Sequence, residues 1–355
     1  MSFHRNLCIA LTLIACREPL VFDTPIPDDG TFERADPTPE QAERFAAAAE
    51  YSADHAGRGM MVLAGQNVVF EAEQNGHQAS EPTHIFSGTK TFSCAAILLA
   101  QAENIGTTDE LVADSLRDWQ GDDEKSAITV DHLLHFTSGL EDDFWRLTYD
   151  ALWTEQYVDD KYQVAMDQPV KTTPGSTYEY GSVHLMVFGE WLTQKSGEDP
   201  LSFLDSRLFE PLSFQYAGWN TDPAGNPALP YGAWTTTNEW AKFGVLLRDD
   251  GAWQGQQLLE SGALAQCFTG SAQMPAYGLG VWLNAELTAD QAELFPTPGI
   301  EAGRVFPSAP ADMVVAAGAN DNRLYVIPSH DLVVVRMGNG DSKWKDDDFL
   351  ARLLE

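Results

Sequence analysis

The stretch His84-Ile-Phe-Ser-Gly-Thr-Lys-Thr-Phe92 places a serine, Ser87, three residues ahead of a lysine, Lys90. A Ser-x-x-Lys pair is short enough to recur by chance, and the chain holds a second one, Ser342 to Lys345 in GDSKWKDDD. Their surroundings separate them. Ser342 stands in a Gly/Asp-rich turn followed by a run of aspartates, which reads as solvated surface. Ser87 opens TFSCAAILLAQAENIG, a helix apolar on nearly every side and therefore buried. A hydroxyl there sits near the positive end of the helix dipole. Positions i and i+3 share a face, so Lys90 can reach the serine oxygen. Burial strips water from a lysine ammonium, and desolvation lowers its pKa toward that of a base. The same residues would equally suit an ordinary helix start, with Ser87 as cap and Lys90 reaching to water. The stretch alone leaves the two readings level.

Outward from this stretch, TPEQAERFAAAAEYSADH predicts a helix with Thr38 and Glu40 at its start. RGMMVLAGQNVVFEAE predicts a hairpin around Gly65-Gln66-Asn67. TVDHLLHF reads as a helix capped by Thr129. TTTNEWAKFGVLLRDDG reads as another, with a Thr236-x-x-Glu239 capping box and Gly251 past its end. DMVVAAG, RLYVIP and DLVVVRMG are β-branched runs between turn residues, hence adjacent strands. KDDDFLARLLE closes as an amphipathic helix. Strands at both ends with a helical middle imply an α/β (α+β) fold. One antiparallel sheet, built from the N- and C-terminal segments, would be flanked by helices and carry a mainly helical insertion. The expected division is a leader over 1–16, a tether over 17–40, an α/β domain over 41–89 and 271–355, and the insertion over 90–270.

The chain has 355 residues, 44% of them hydrophobic, enough for a large core. Its formal net charge of −32 repels phosphate backbones, which argues against nucleic-acid binding. It also disfavours anionic substrates relative to neutral or cationic ones. No C-x-x-C or zinc-like spacing is present, and no cofactor or metal is expected. His132 and His135, three apart on one helix, lack a nearby acidic or third ligand and read as structural.

At the N-terminus, His4 and Arg5 precede an apolar run, Leu7 to Ala15, too short to span a bilayer. It ends in Leu13-Ile14-Ala15-Cys16, which resembles a bacterial lipobox, with Cys16 as the lipidated residue. Arg17 in place of aspartate resembles outer-membrane sorting. The expectation is a periplasm-facing lipoprotein that meets the membrane only through its lipid. Cys8 falls inside the leader. Whether Cys94 and Cys267 pair stays open.

Several segments in order, SGTKTF, ITVDHLLHFTSGL, PGSTYEYGSVHLMVFGEWL, YGAWTTTNEWAKFG and YGLGVWL, resemble the serine β-lactamase-like family over residues 40–355. That family takes in class C β-lactamases, DD-peptidases, esterases of the same fold and 6-aminohexanoate-oligomer hydrolases. The resemblance implies Ser87 as nucleophile and Lys90 as its lysine. The second box, Tyr-x-Asn in class C enzymes, matches Tyr180-Gly181-Ser182. Its serine is closer to the aminohexanoate hydrolases. The third box, usually Lys-Thr-Gly or His-Thr-Gly, matches Ala316-Ala317-Gly318-Ala319, without cation or hydroxyl. Asp321 and Asn322 stand where Gly and Gln are common.

The resemblance thus implies acyl transfer at Ser87 with Lys90 and Tyr180 moving protons, without metal or cofactor. The backbone N–H groups of Ser87 and Ala319 would form an oxyanion hole. Ser182, Gly318, Trp145, Tyr231 and Trp234 would line the pocket. The implied partner is a small ester or amide. The competing readings are a β-lactamase or DD-peptidase, which the missing third-box cation disfavours, and a non-catalytic envelope binding protein, which the retained serine, lysine and tyrosine disfavour.

Overall fold

The chain reverses at Gly65-Gln66 between the strands Gly57–Ala64 and Asn67–Glu73. Gly65 takes a φ of +57°, the left-handed backbone that a tight hairpin turn demands. The computed structural model describes residues 21–149, 158–297 and 299–355. In it the hairpin joins the three β-branched runs in one sheet. The order is Glu33–Arg34, Asn67–Glu73, Gly57–Ala64, Leu332–Gly338, Asn322–Ile327, Val314–Gly318, Trp282–Leu283. Neighbours are antiparallel except the first strand, which runs parallel to the second. The chain therefore has the α/β class, with the mainly antiparallel sheet, that its patterning implies.

Alternation along Leu332–Gly338 decides what covers each face. Val333 meets Gly244 of the helix Thr237–Arg248, where an added Cβ would lie 2.5 Å from Val333 Cγ1. Arg336, on the opposite face, donates from Nε to Ser52 Oγ, 3.1 Å away, in the helix Pro39–Asp54. The C-terminal helix Asp346–Leu354 packs on Pro39–Asp54. Thus Thr237–Arg248, which falls inside the expected insertion over 90–270, lies on the sheet itself.

Its start also differs from the expected capping box. Thr236 Oγ1 accepts from the Glu239 N–H, but the Glu239 carboxylate does not return the bond. It accepts instead from Lys242 Nζ at 2.8 and 2.9 Å and from the Gln215 N–H at 2.6 Å. A buried ammonium outcompetes the cap, because an unpaired charge in the interior costs more than a backbone N–H left to other partners.

The Pro/Asp-rich segment expected as a tether over 17–40 is docked from Phe22 onward. Ile26 and Phe32 are buried, Phe22 meets the Trp234 ring edge-on at 5.9 Å, and Asp29 pairs with Lys242 at 2.7 Å. Isolated apolar anchors hold it without any periodicity. The leader, with Cys8 and Cys16, lies outside the described residues.

A second, three-stranded sheet orders Thr83–His84, Ala233–Thr235 and Gly218–Trp219. It brings the Ser87 stretch beside the 230–235 segment: the Ile85 N–H donates to Ala233 O at 3.0 Å, and the Ala233 N–H to Thr89 Oγ1 at 3.1 Å. The question left open for the cysteines is answered here, since Cys94 and Cys267 form a disulfide. Cys94 belongs to the buried helix Phe92–Ala102, so the bridge ties the Ser87 segment to a chain region 173 residues away. Closing so long a loop restricts the unfolded chain strongly. Replacing both cysteines with alanine is expected to lower unfolding free energy by about 2–5 kcal/mol. Urea titration of the variant checks this, and an unchanged midpoint would contradict it.

Candidate active site

Ser87 does not open the α-helix directly. It stands in a tight helical turn, Phe86–Thr91, that runs into Phe92–Ala102. Phe86, just before it, takes a φ of +46°, which is unusual for an aromatic residue and sharpens the turn that presents Ser87. Ser87 stays partly accessible, whereas Lys90 is 3% exposed. Lys90 Nζ lies 3.1 Å from Ser87 Oγ and 2.9 Å from the Pro230 carbonyl. Burial pushes the lysine down to about 7, with the Asp142 charge working the other way. The Ser342–Lys345 pair sits in the turn before the last helix.

Tyr180 joins this pair. Its ring lies 5.0 Å from Lys90 Nζ, and its phenol is within electrostatic reach of the Ser87 side chain. The ring stacks on Trp282, with centroids 5.6 Å apart, and also meets Phe136 and Tyr277. Burial pushes the phenol up to about 12, against the opposing effect of Ser87. Lys90 and Tyr180 are thus not equivalent at neutral pH. The lysine is poised to accept a proton and the tyrosine holds one.

The third box approaches the same turn. Gly318 ends the strand Val314–Gly318, and an added Cβ would lie 1.9 Å from Ile85 O and 3.2 Å from the Gly88 N–H. Close approach, rather than backbone freedom, requires glycine there. Ala319 follows at the surface, and Asn320 and Asp321 take φ of 59° and 60°. The departures from the family pattern hold this corner. Asn322 donates to Ala319 O at 2.7 Å and to His84 O at 3.2 Å, and accepts from the Gly338 N–H at 3.0 Å. Arg323 Nη1 donates to Gly318 O at 2.8 Å, and Arg336 Nη1 to Asp321 O at 2.7 Å.

The expected pocket residues divide. Trp145 is 64% exposed, and its ring meets Phe144 edge-on at 5.9 Å. Trp234 stacks flat on His84, with centroids 4.6 Å apart, and donates to Asn220 Oδ1. The Tyr231 side chain is buried instead of lining a pocket: its hydroxyl donates to Leu147 O at 2.7 Å. Its backbone carbonyl accepts from His84 Nε2 at 2.5 Å, one residue from the carbonyl that holds Lys90. Ser182 is also buried, its hydroxyl 2.5 Å from that of Thr148. His132 and His135 are structural, but not without an acidic neighbour: His135 Nδ1 lies 3.0 Å from Asp131 Oδ1. Among the described residues no group of His, Cys, Asp or Glu could hold a metal ion. The sequence reading missed His84, Pro230 and Asp142. Asp142 stands between Glu141 and Asp143, and that local pattern does not single it out.

The Beta-lactamase family model matches residues 43–355, and the chain belongs to that family, whose fold is that of serine hydrolases. Comparison with curated protein sequences gives no match. Among solved structures, the fold is similar to a Bacillus anthracis protein described as a 6-aminohexanoate-dimer hydrolase. That pair has a TM-score of 0.69 at 16% identity, covering 91% of this chain and 85% of the other. It is also similar to a penicillin-binding protein homolog from Caulobacter crescentus, with a TM-score of 0.66 at 15% identity over 90% and 97% of the two chains. A D-stereospecific amidohydrolase from a Streptomyces species gives a TM-score of 0.60 at 17% identity over 89% and 97%.

A lysine held near pH 7 in the folded state binds fewer protons there than in the unfolded chain. The resulting cost is fully present below about pH 7 and fades as pH rises toward the ordinary lysine value. Lys90→Met is therefore expected to raise Tm at pH 6 by at least about 3 °C, and by less at pH 9. Calorimetry at the two pH values checks this. Destabilisation at pH 6 would show that Lys90 is not carried at a cost.

Proposed function

We propose that the protein is a serine hydrolase that cleaves a neutral or amine-bearing ester or amide through an acyl-enzyme on Ser87. One observation carries the reading: Lys90 is buried against Ser87 Oγ and, among the described residues, has no carboxylate in ion-pair contact. An amine so placed is a base near neutrality. As Oγ attacks the carbonyl carbon, its proton passes to Lys90 Nζ. The carbonyl π pair moves to oxygen, where the Ser87 and Ala319 N–H groups stabilise it. When the tetrahedral intermediate collapses, the bond to the leaving oxygen or nitrogen breaks. That atom takes the Tyr180 proton, which Lys90 replaces. Water then adds to the acyl carbon, gives up a proton along the same path, and releases the acid and Ser87.

The similar folds of an amidohydrolase and a protein described as a 6-aminohexanoate-dimer hydrolase support amide or ester chemistry. The third box favours substrates without a carboxylate. Ala316 and Ala317 offer no cation to pair with one, and the net charge of −32 repels it at a distance.

A fluorophosphonate probe is expected to label the wild type and not Ser87→Ala. Lys90→Ala and Tyr180→Phe should each lose about 10²–10⁴ in turnover. The double variant should be little worse than the poorer single, because the residues act as a unit. Ser342→Ala should match the wild type. Labelling that persists in Ser87→Ala, or nitrocefin turnover as fast as that of p-nitrophenyl acetate, would overturn the reading.

The proposed setting is the periplasmic side of a bacterial envelope, with lipid on Cys16. The Cys94–Cys267 disulfide suits an oxidising compartment, which adds to the lipobox-like leader. Mass spectrometry of the mature N-terminus is expected to find diacylglyceryl-Cys16. A chain that starts elsewhere, with Cys16 unmodified or removed, would refute the anchor.

A further inference from the structure

We propose that Asp142 is a positioning residue of this site: its carboxylate fixes the Tyr180-Gly181-Ser182 turn and supplies the negative charge that faces Lys90. The inference rests on the reading of Ser87, Lys90 and Tyr180 given above.

The geometry is specific. Asp142 Oδ1 accepts from the Ser182 N–H at 2.8 Å and from the Val183 N–H at 2.9 Å. These N–H groups open the helix Val183–Ser196, whose own cap residue, Ser182, makes no side-chain capping bond. A carboxylate 40 residues earlier in the chain takes over that task, at the end of a helix where negative charge is favoured. Gly181 is the spacer of the Tyr-x-Ser box, and its backbone is not left-handed. A Cβ there would lie 2.4 Å from Asp142 Cγ and 2.7 Å from Asp142 Cβ. Glycine is required because the carboxylate occupies that space. Anything that moves Asp142 therefore moves the backbone beside Tyr180.

The second link is charge. Burial raises the Asp142 pKa, with the two backbone N–H groups and Lys90 pulling it back. Burial lowers Lys90, and among the described residues the charge of Asp142 works against that shift. The other titratable groups around the pair are Tyr180, whose ring faces Lys90, and His184, buried and held down at about 4. Asp143 lies beside Asp142, and the charge of Asp142 is also felt at Glu179 and Lys171. Removing the Asp142 charge while keeping its oxygen should make the Lys90 ammonium harder to hold. The lysine then loses its proton at lower pH.

The test titrates Lys90 directly, by NMR of ¹³Cε-labelled lysine in the full chain, with Lys90→Met to assign the resonance. In Asp142→Asn, which keeps an acceptor for the two N–H groups, the Lys90 midpoint is expected to fall by on the order of 1 pH unit. The acid limb of kcat/KM should move with it. Asp142→Thr, a second neutral acceptor, serves if the asparagine variant does not fold. Asp142→Ala, which loses acceptor and charge together, should also lose at least about tenfold in kcat at the pH plateau. A purely structural cap predicts equal Lys90 midpoints in wild type and Asp142→Asn, and that result would overturn the inference. If instead the midpoint falls but the wild type resists the fluorophosphonate probe, the electrostatic link stands and the hydrolase reading fails.

Discussion

An amine deprived of water is the interaction on which the rest of this architecture turns. Among the described residues Lys90 has two polar contacts, Ser87 Oγ and the Pro230 carbonyl, and both are neutral. Neither offsets an ammonium as water would, so the folded state shifts the lysine toward its free-base form. Such a group is useful only if it cannot relax outward, and the surrounding structure prevents this. The small sheet clamps the 230–235 segment onto the Ser87 turn, and His84 holds the neighbouring Tyr231 carbonyl. The disulfide anchors the helix that follows. Positive φ at Phe86, Asn320 and Asp321 concentrates unusual backbone on both sides of the serine, where the buried scaffold can enforce it.

The corner opposite Ser87 shows the same logic with different atoms. Two buried arginines and one asparagine spend their hydrogen bonds on backbone carbonyls of Gly318, Ala319 and Asp321. Arg336 also stacks on Trp344, 3.9 Å from the ring centre, and donates to the Ser52 and His55 carbonyls at the end of the first helix. On the proposed reading this strand end presents an N–H to the substrate, and these bonds tie it to the far side of the sheet.

The parts of this arrangement that were legible in the sequence are those written in contiguous patterns. The hairpin, the three C-terminal strands and the buried helix after Ser87 all follow from local periodicity. That burial made one Ser-x-x-Lys pair worth more than the other. What was not legible is contributed by backbone or by distant partners. Pro230 acts through its carbonyl, which no residue type announces. Tyr231 is aromatic and close to the site, yet its side chain faces Leu147 O. Glu239 sits at a capping-box position, but a buried Lys242 claims its carboxylate. Asp142 is one acid among many in a strongly acidic chain, and its contacts with Gly181, Ser182 and Val183, forty residues on, are what distinguish it.

The docked N-terminal segment sets a distance. Phe22 is seated against Trp234, which in turn lies on His84 beside the Ser87 turn. With a lipid on Cys16, five residues would lie between the anchor and that seat, a fully extended reach of about 20 Å. An enzyme so moored has no stalk. It would work within a molecular diameter of the bilayer surface, and its orientation would be set by where Phe22 docks rather than by diffusion on a flexible arm. Its substrates would then be drawn from the layer of solution next to the membrane.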